Sequence, residues 1–199
     1  FGSKLYEPMK KIGITGGIGS GKSVVAELLR LYGVPVYIAD EESKRLTESS
    51  PVIKKGLIEL LGPELYTEQG LDKPLLASYI FGNETLLQKV NRIIHPEVNK
   101  DFENWCIRQK ASLCAIESAI LFESGFNHIV DYSLMVYAPV DIRIGRAMLR
   151  DKTSQEALLK RIKSQMSDEI KREKADFTIL NDGKQALIPQ VEKFFASIC

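Results

Sequence analysis

The chain has 199 residues, of which 44% are hydrophobic and 27% charged, and its formal net charge is +1. This composition is close to the globular average, which argues against disorder and against a fibrous structure. The nearly neutral charge argues against a general nucleic-acid binder. A chain of this length suits one α/β domain that carries inserted subdomains.

Cysteine usage and hydropathy predict where the protein works. The three cysteines share no CxxC spacing, which indicates neither a disulfide framework nor a zinc site and favours a reducing cytoplasm. No apolar run approaches the roughly 18 residues that span a bilayer, so we expect no membrane partner. Residues 1–8, FGSKLYEP, precede Met9 and are interpreted as a remnant of recombinant expression, so that the domain is expected over residues 9–199.

The first predicted element is a strand at residues 12–15, an apolar stretch that runs directly into glycines. From Lys22 onward, apolar residues recur at helical spacing as far as Tyr32, and Gly33 provides a C-terminal cap. A buried strand, a glycine-rich loop and a helix therefore follow one another, which is typical of a parallel α/β sheet.

The second predicted strand is the run VPVYIAD at residues 34–40, followed by a charged helical stretch. Asp40 is the last residue of this run. Ligands of open parallel sheets bind outside the carboxyl ends of the strands. Asp40 is therefore expected to face the same opening as the glycine-rich loop.

Residues 51–111 are predicted to be mainly helical, and so long a helical insertion between strands suggests a substrate-binding subdomain. Gly-Pro, Gly-Asn and His-Pro pairs divide this section. In particular, the proline that follows His95 predicts a break between two helices. The predicted helices cover residues 51–61, 73–81, 84–94 and 96–110.

Three further strands complete the predicted sheet, with charged helical sequence before the last of them. Thr153 and Glu156 have the spacing of a capping box within that helical sequence. A final helix is predicted from Lys184. The strands are expected at residues 113–117, 132–138 and 177–180, and the helical sequence at 141–174.

The segment GGIGSGKS, from Gly16 to Ser23, satisfies the pattern G-x-x-x-x-G-K-[ST] in full. Glycines at such positions let backbone N–H groups converge on phosphate oxygens, at a helix N-terminus whose dipole favours anions. Lys22 is predicted to reach the β- and γ-phosphates, and Ser23 to offer its hydroxyl to the Mg²⁺ that accompanies a nucleoside triphosphate. The loop therefore predicts binding of ATP or GTP. Further nucleotide contacts are expected from Gly17, Ile18, Gly19, Ser20, Gly21 and Val24.

The loop alone does not separate a small-molecule kinase from a GTPase switch or a mechanical ATPase. A GTPase is expected to carry D-x-x-G and N-K-x-D patterns, and neither occurs in the sequence. A regulatory GTPase is therefore disfavoured. The acceptor of the phosphoryl group has to be inferred from residues outside the loop.

Six segments in order resemble the motifs of the dephospho-CoA kinase family, across residues 11–183. They are IGITGGIGSGKSVVA, IAD, VNRIIHPEV, ILFESG, RIKSQM and ADFTILNDG. The resemblance implies that ATP and dephospho-CoA are the substrates and that the ribose 3′-hydroxyl is phosphorylated, the last step of coenzyme A synthesis. It also implies a three-layer α/β/α P-loop kinase fold with a five-stranded parallel sheet, a helical CoA-binding subdomain and a lid. The core is then expected at residues 9–50, 112–140 and 175–199, the subdomain at about 51–111 and the lid at about 141–174.

Three residues are candidates for the acceptor side within this resemblance. Asp40 matches the second acid of the family's D-A-D motif and would orient or deprotonate the attacking hydroxyl, or else only cap a helix. Ile38 stands where the first acid of that motif is usual. His95 matches the family's His-Pro pair and, with Arg92 close before it, would contribute to the dephospho-CoA site, or else be a local structural residue.

Charged and polar residues near the later strands complete the candidate site. Glu117 and Glu123 follow the third strand, where an acid could hold the Mg²⁺ water shell or cap a helix. Arg146 and Arg150 are four residues apart on a predicted helix, so both guanidinium groups project from one face. That face could close on ATP as a lid, or be ordinary charged surface. Asn181, after the fifth strand, is an adenine-side candidate by resemblance.

Two other functions stay open at this point. One is another small-molecule or nucleoside kinase of the same fold, and the other is a non-catalytic binding module gated by nucleotide. The residue pattern predicts neither the oligomeric state nor the preferred nucleoside triphosphate.

Overall fold

The structure is a computed structural model that describes residues 8–199. The predicted remnant at residues 1–8 lies, apart from Pro8, outside the described residues. The chain divides into two compact units, here named the core unit and the helical unit. The core unit comprises the chain up to Tyr37 together with Gln109–Cys199, and the helical unit comprises Ile38–Arg108.

Five parallel strands form the main sheet, as the sequence predicts. In chain order the strands are β1 (Lys10–Thr15), β2 (Val36–Ile38), β3 (Tyr66–Thr67), β4 (Gly70–Leu71), β5 (Leu113–Glu117), β6 (Tyr132–Tyr137) and β7 (Phe177–Leu180). The main sheet has the order β2, β5, β1, β6, β7, while β3 and β4 form a short antiparallel pair that the sequence pattern did not predict. Ile12 and Ile14 of the central strand β1 are fully buried, as expected where helices cover both faces of a parallel sheet.

Helices flank the main sheet and give the α/β/α layers of the predicted fold class. In chain order the helices of the core unit are α1 (Lys22–Leu31), α6 (Val140–Asp151), α7 (Gln155–Lys163), α8 (Asp168–Lys174) and α9 (Leu187–Ile198), and those of the helical unit are α2 (Ala39–Ser49), α3 (Pro51–Leu61), α4 (Lys73–Ile80) and α5 (Glu84–Arg108). The first helix buries Val25 and Leu29, which are four residues apart and therefore lie on one face. Within residues 8–199, no helix is both long enough and apolar enough to cross a bilayer.

The predicted helix break after His95 is wrong. Helix α5 continues from Glu84 to Arg108 with Pro96 inside it. A proline in a helix interior removes one hydrogen bond and strains the preceding turn. The buried residues of α5 nevertheless recur every four positions on both sides of the proline, at Val90, Ile94, Val98, Phe102 and Cys106. Burial of this continuous apolar face outweighs the local effect of the proline.

The position of Asp40 also differs from the prediction. Strand β2 ends at Ile38, so Asp40 lies in the first turn of α2 rather than at the end of a strand. An acidic residue is stabilised there because the helix dipole places partial positive charge at the N-terminus. Both Asp40 and the following Glu41 are exposed.

Two helix starts are shifted by local hydrogen bonds. The N-cap of α7 is Ser154, whose hydroxyl accepts the N–H of Ala157 at 3.2 Å, so the predicted capping box beginning at Thr153 is wrong by one position. Helix α9 begins at Leu187 instead of Lys184, because a carboxylate oxygen of Asp182 accepts the N–H of Lys184 and holds a turn before the helix.

Candidate functional site

The glycine-rich loop lies between β1 and α1, where the sequence predicts it. Gly19 and Gly21 have φ angles of 77° and 86°, in the left-handed region that favours glycine. A side chain at Gly21 would collide with the amide of Asn181, and one at Gly19 would collide with the backbone of Arg143. The loop glycines are therefore required both by the turn and by the groups packed against it.

Lys22 begins α1, and its ammonium group faces the carboxylate of Glu117 at the end of β5. The distance from Lys22 Nζ to Glu117 Oε1 is 3.2 Å, and the two side chains are 21% and 8% exposed. Strands β1 and β5 are neighbours in the sheet, so their carboxyl ends bring the loop and this acid together. Ser23, the next residue of α1, is exposed. A cation, a carboxylate and a hydroxyl therefore lie at one edge of the sheet.

Two predicted residues contact the loop through its carbonyl oxygens. Asn181 follows β7 and donates from Nδ2 to the carbonyl oxygen of Ser20 at 2.8 Å. Arg146 of α6 donates from Nη1 to the carbonyl oxygen of Gly19 at 3.5 Å, a long and therefore weak hydrogen bond. Both side chains support the loop from outside.

Arg150, one turn after Arg146, has different partners. Its Nε lies 2.6 Å from Oδ1 of Asp151, and its side chain is 63% exposed. The Arg150 guanidinium lowers the pKa of the Asp151 carboxyl. Arg161 of α7 contacts the same carboxylate at 3.4 Å. Among the described contacts, the structure brings Arg146 to the loop but leaves Arg150 in a surface ion pair.

A buried ion pair beside the loop was not predicted from the sequence. Arg143 Nη1 of α6 lies 3.1 Å from Oδ2 of Asp168, the first residue of α8, and these side chains are 5% and 8% exposed. The same carboxylate oxygen accepts the N–H of Gly17 at 3.2 Å. The local sequence carried no signal for this pair, because the burial of Arg143 with Ala147 on one face of α6 is apparent only in the structure.

A second buried charge holds the segment before α8. Lys171 is fully buried, donates from Nζ to the carbonyl oxygen of Ala119 at 2.6 Å and lies 3.5 Å from Oε2 of Glu123. Glu123 also accepts the N–H of Met166 at 3.2 Å. Burial lowers the pKa of Lys171 and raises that of Asp168, because each charged form loses hydration. Glu123 thus serves a structural cluster in this structure.

The helical unit carries the residues predicted for the acceptor substrate. Asp40 is exposed on α2, and Arg92 is exposed on α5. His95 is half-buried three residues after Arg92, so both lie on the same side of α5. Burial lowers the pKa of His95 and favours its neutral imidazole. One turn further, Asn99 has a buried amide oxygen that accepts no hydrogen bond from the described residues.

A phosphate loop set between the central strand of a parallel sheet and the helix that follows defines the P-loop nucleotide-binding proteins, a class that includes the P-loop kinases. The flanking helices and the order of the strands place the chain in that class. The chain belongs to the dephospho-CoA kinase family, whose family model matches residues 10–186.

Relatives and solved structures agree with this assignment. The chain is 52% identical to a dephospho-CoA kinase of Bacteroides fragilis, over 94% of this chain and 91% of that protein. Its fold is similar to a crystal structure from Thermus thermophilus, with a TM-score of 0.84, 34% identity and coverage of 96% of this chain and 97% of that chain. It is also similar to the dephospho-CoA kinase of Campylobacter jejuni, with a TM-score of 0.63, 26% identity and coverage of 94% of both chains. The predicted family and fold class are confirmed.

Proposed function

We propose that the chain transfers the γ-phosphoryl group of ATP to the ribose 3′-hydroxyl of dephospho-CoA, giving CoA and ADP. The observation that carries this proposal is the Lys22–Glu117 pair beside the phosphate loop, 3.2 Å apart, in a chain that belongs to this family. In the reaction the 3′-oxygen bonds to the γ-phosphorus, and the bond from that phosphorus to the β–γ bridging oxygen breaks. The hydroxyl proton passes to a base, and ADP leaves with the released electron pair.

The loop and the start of α1 would bind the triphosphate. Backbone N–H groups at a helix N-terminus favour anions, and Lys22 would exchange part of its contact with Glu117 for the β- and γ-phosphates. Asn181 remains the proposed residue on the adenine side, supported by its position directly against the loop. The remaining proposed nucleotide contacts are Gly17, Ile18, Gly19, Ser20, Gly21, Ser23 and Val24.

The residues beside the loop fit a Mg²⁺ ion that arrives with ATP. Within residues 8–199, no three His, Cys, Asp or Glu side chains are grouped as a metal site of their own. Mg²⁺ keeps several waters and takes only one or two protein ligands beside substrate phosphates. The exposed hydroxyl of Ser23 and the carboxylate of Glu117 are oxygen donors of that kind, and they would hold the ion. Bound there, Mg²⁺ neutralises charge that develops on the phosphate oxygens.

Asp40 is the proposed residue for the acceptor hydroxyl. Its carboxylate is exposed in the first turn of α2, so it is accessible to a ligand. It would either accept the 3′-hydroxyl proton or align the hydroxyl for attack. Arg92 and His95, on one side of α5, would contact dephospho-CoA, and the helical section at about residues 51–111 would act as the CoA-binding subdomain.

Arg146 and Arg150 are proposed to close on ATP as part of a lid at about residues 141–174. Preorganised cations stabilise a transferring phosphoryl group, and closure excludes water that would hydrolyse ATP. The contact of Arg146 with the Gly19 carbonyl supports this role for Arg146. The cytoplasm remains the predicted location, on the basis of cysteine usage in the sequence.

A coupled assay tests the proposed function. Purified protein with Mg-ATP should release ADP in the presence of dephospho-CoA, but not in the presence of nucleoside monophosphates. The Lys22→Ala variant, prepared identically, controls for contaminating kinases. ADP release only with another acceptor would indicate a different small-molecule kinase. Nucleotide binding without turnover on any acceptor would indicate a binding module.

A further inference from the structure

We infer that Asp168 and Arg143 act as a pair that positions the phosphate loop for nucleotide binding. The inference rests on the proposed function for its ligand, ATP. It concerns two residues that lie outside the loop motif and contact the loop backbone. Asp168 accepts the Gly17 N–H at 3.2 Å, and Arg143 lies 3.1 Å from the same carboxylate oxygen.

The contact with Gly17 holds the first turn of the loop. A phosphate loop binds through backbone N–H groups, so its affinity depends on how well their directions are set before the ligand arrives. A side chain at Gly17 would collide with Arg143 Nη1 and with the Asp168 carboxylate. The pair therefore packs directly on the loop backbone, and it anchors the loop at the point where the chain leaves β1.

Arg143 also compensates the negative charge of Asp168 beside the loop. A bare carboxylate beside an anion-binding loop would repel the phosphates, and its own burial would be unfavourable. The Arg143 guanidinium compensates that charge from a side chain that is itself 5% exposed. Lys171, three residues after Asp168 in α8 and fully buried, adds a second positive charge to the same cluster. Asp168 can thus accept the Gly17 N–H without opposing the nucleotide.

Two double variants separate loop positioning from a merely structural ion pair. Arg143→Met with Asp168→Asn removes both charges but keeps a carbonyl oxygen at residue 168 as acceptor for the Gly17 N–H. Arg143→Met with Asp168→Leu removes both charges and the acceptor. Neither variant leaves an unpaired buried charge, and replacing a buried ion pair with apolar groups is often neutral for stability.

The measurement is the Kd for Mg-ATP by titration calorimetry, with thermal unfolding as the check on folding. We expect the Leu double variant to bind ATP about tenfold more weakly than the Asn double variant, as for loss of one buried hydrogen-bond acceptor. Equal Kd values in the two folded variants would overturn the inference. Because binding is measured without the acceptor, a failure of turnover on dephospho-CoA would count against the proposed function and leave this comparison intact.

Asp131 offers a matched control in the core unit. Its carboxylate accepts the N–H of Lys11 at 2.7 Å, a backbone contact outside the loop. Asp131→Asn and Asp131→Leu should therefore have equal Kd values for Mg-ATP. A tenfold difference between these two variants would show that the effect is not specific to the loop and would overturn the inference.

If the Leu double variant does not fold, amide hydrogen exchange in the wild-type protein tests the inference instead. The Gly17 amide hydrogen should exchange slowly with solvent in the absence of ATP, because it is donated to a buried carboxylate. Fast exchange of this amide in the folded, nucleotide-free protein would overturn the inference.

Discussion

The core unit and the helical unit place their charged side chains differently. Beside the phosphate loop, the side chains of Arg143 and Asp168 are 5% and 8% exposed and Lys171 is fully buried. The helical unit instead carries ion pairs at its surface, such as Lys73 with Glu48, whose side chains are 70% and 36% exposed. Buried charges require partners in fixed positions, whereas exposed pairs contribute little to stability.

This difference indicates a division of work. Under the proposed function, the buried cluster holds backbone segments that have to be in place before ATP binds, and the exposed charges of the helical unit are accessible to a second substrate. Substitutions in the core unit should therefore alter nucleotide chemistry or folding, and substitutions in the helical unit should alter the acceptor step with little change in stability.

The largest effect is expected for Lys22→Ala. Loss of a cation that stabilises the transferring phosphoryl group should lower kcat by about 10³–10⁵. The fold should persist with some loss of stability, because the Lys22 side chain is itself 21% exposed but the substitution leaves the Glu117 carboxylate, 8% exposed, without its cation. Steady-state kinetics with dephospho-CoA and circular dichroism check the two parts. Lys73→Ala in the helical unit is the control, and wild-type turnover in Lys22→Ala would contradict the role of the loop lysine.

Asp40→Asn tests the proposed role of the helical unit in the acceptor step. If Asp40 accepts the proton or aligns the hydroxyl, kcat should fall by about 10²–10⁴, the range for loss of a general base. The Kd for Mg-ATP should change little. A pH–rate profile distinguishes the two roles. If Asp40 is the base, its ionisation appears in the profile of the wild-type protein and is absent from that of Asp40→Asn. Glu41→Gln changes the next exposed acid of α2 and is the matched control. Equal kinetics of the two variants would show that Asp40 only stabilises the start of the helix.

Lys171→Met should have the largest effect on stability. The substitution leaves the carbonyl oxygen of Ala119 with only the long 3.5 Å contact from the Thr15 hydroxyl, and it leaves Glu123 without its buried partner. We expect the free energy of unfolding to fall by about 3 kcal/mol. Lys73→Met in the helical unit should change it by no more than about 0.5 kcal/mol. Urea denaturation compares the two variants, and equal stabilities would contradict the distinction between the units.

Arg146→Ala and Arg150→Ala sharpen the comparison within α6. Both should lower kcat more than they weaken dephospho-CoA binding, because their charge acts mainly in the closed state. The effect of Arg146→Ala should be larger, about 10- to 100-fold, since Arg146 already contacts the Gly19 carbonyl. Steady-state kinetics and calorimetry give the two parameters. Near-normal kinetics of both variants would make these arginines ordinary surface residues.

The smallest effect is a pH dependence of stability from His95. Burial lowers its pKa below the ordinary 6.5, so the unfolded chain binds more protons in the window just below pH 6.5. The free energy of unfolding should therefore fall as the pH drops through that window. His95→Gln should flatten this fall, as measured by urea denaturation at a series of pH values. A pH dependence of His95→Gln that runs parallel to that of the wild-type protein would exclude a contribution from His95.

Local patterns in the sequence were sufficient for the sheet and the phosphate loop. The loop depends on eight consecutive residues, Gly16 to Ser23, whose spacing carries its own physical reason. The strands at 113–117 and 177–180 and the helix at 51–61 have the predicted bounds, because short apolar runs and helix-start residues act over a few positions. The roles of Asp40, Arg92 and His95 remain predictions that rest on the resemblance to the family.

Only the tertiary structure decided which charged residues serve the loop. Arg143 and Asp168 are 25 residues apart in sequence, and Asp168 and Gly17 are 151 apart, so no local spacing relates them. The continuity of α5 through Pro96 has the same origin, because burial of a long apolar face exceeds a local penalty. Sequence patterns report interactions between neighbours along the chain. The burial of a charge depends on which distant segments pack around it, and that is determined by the complete fold.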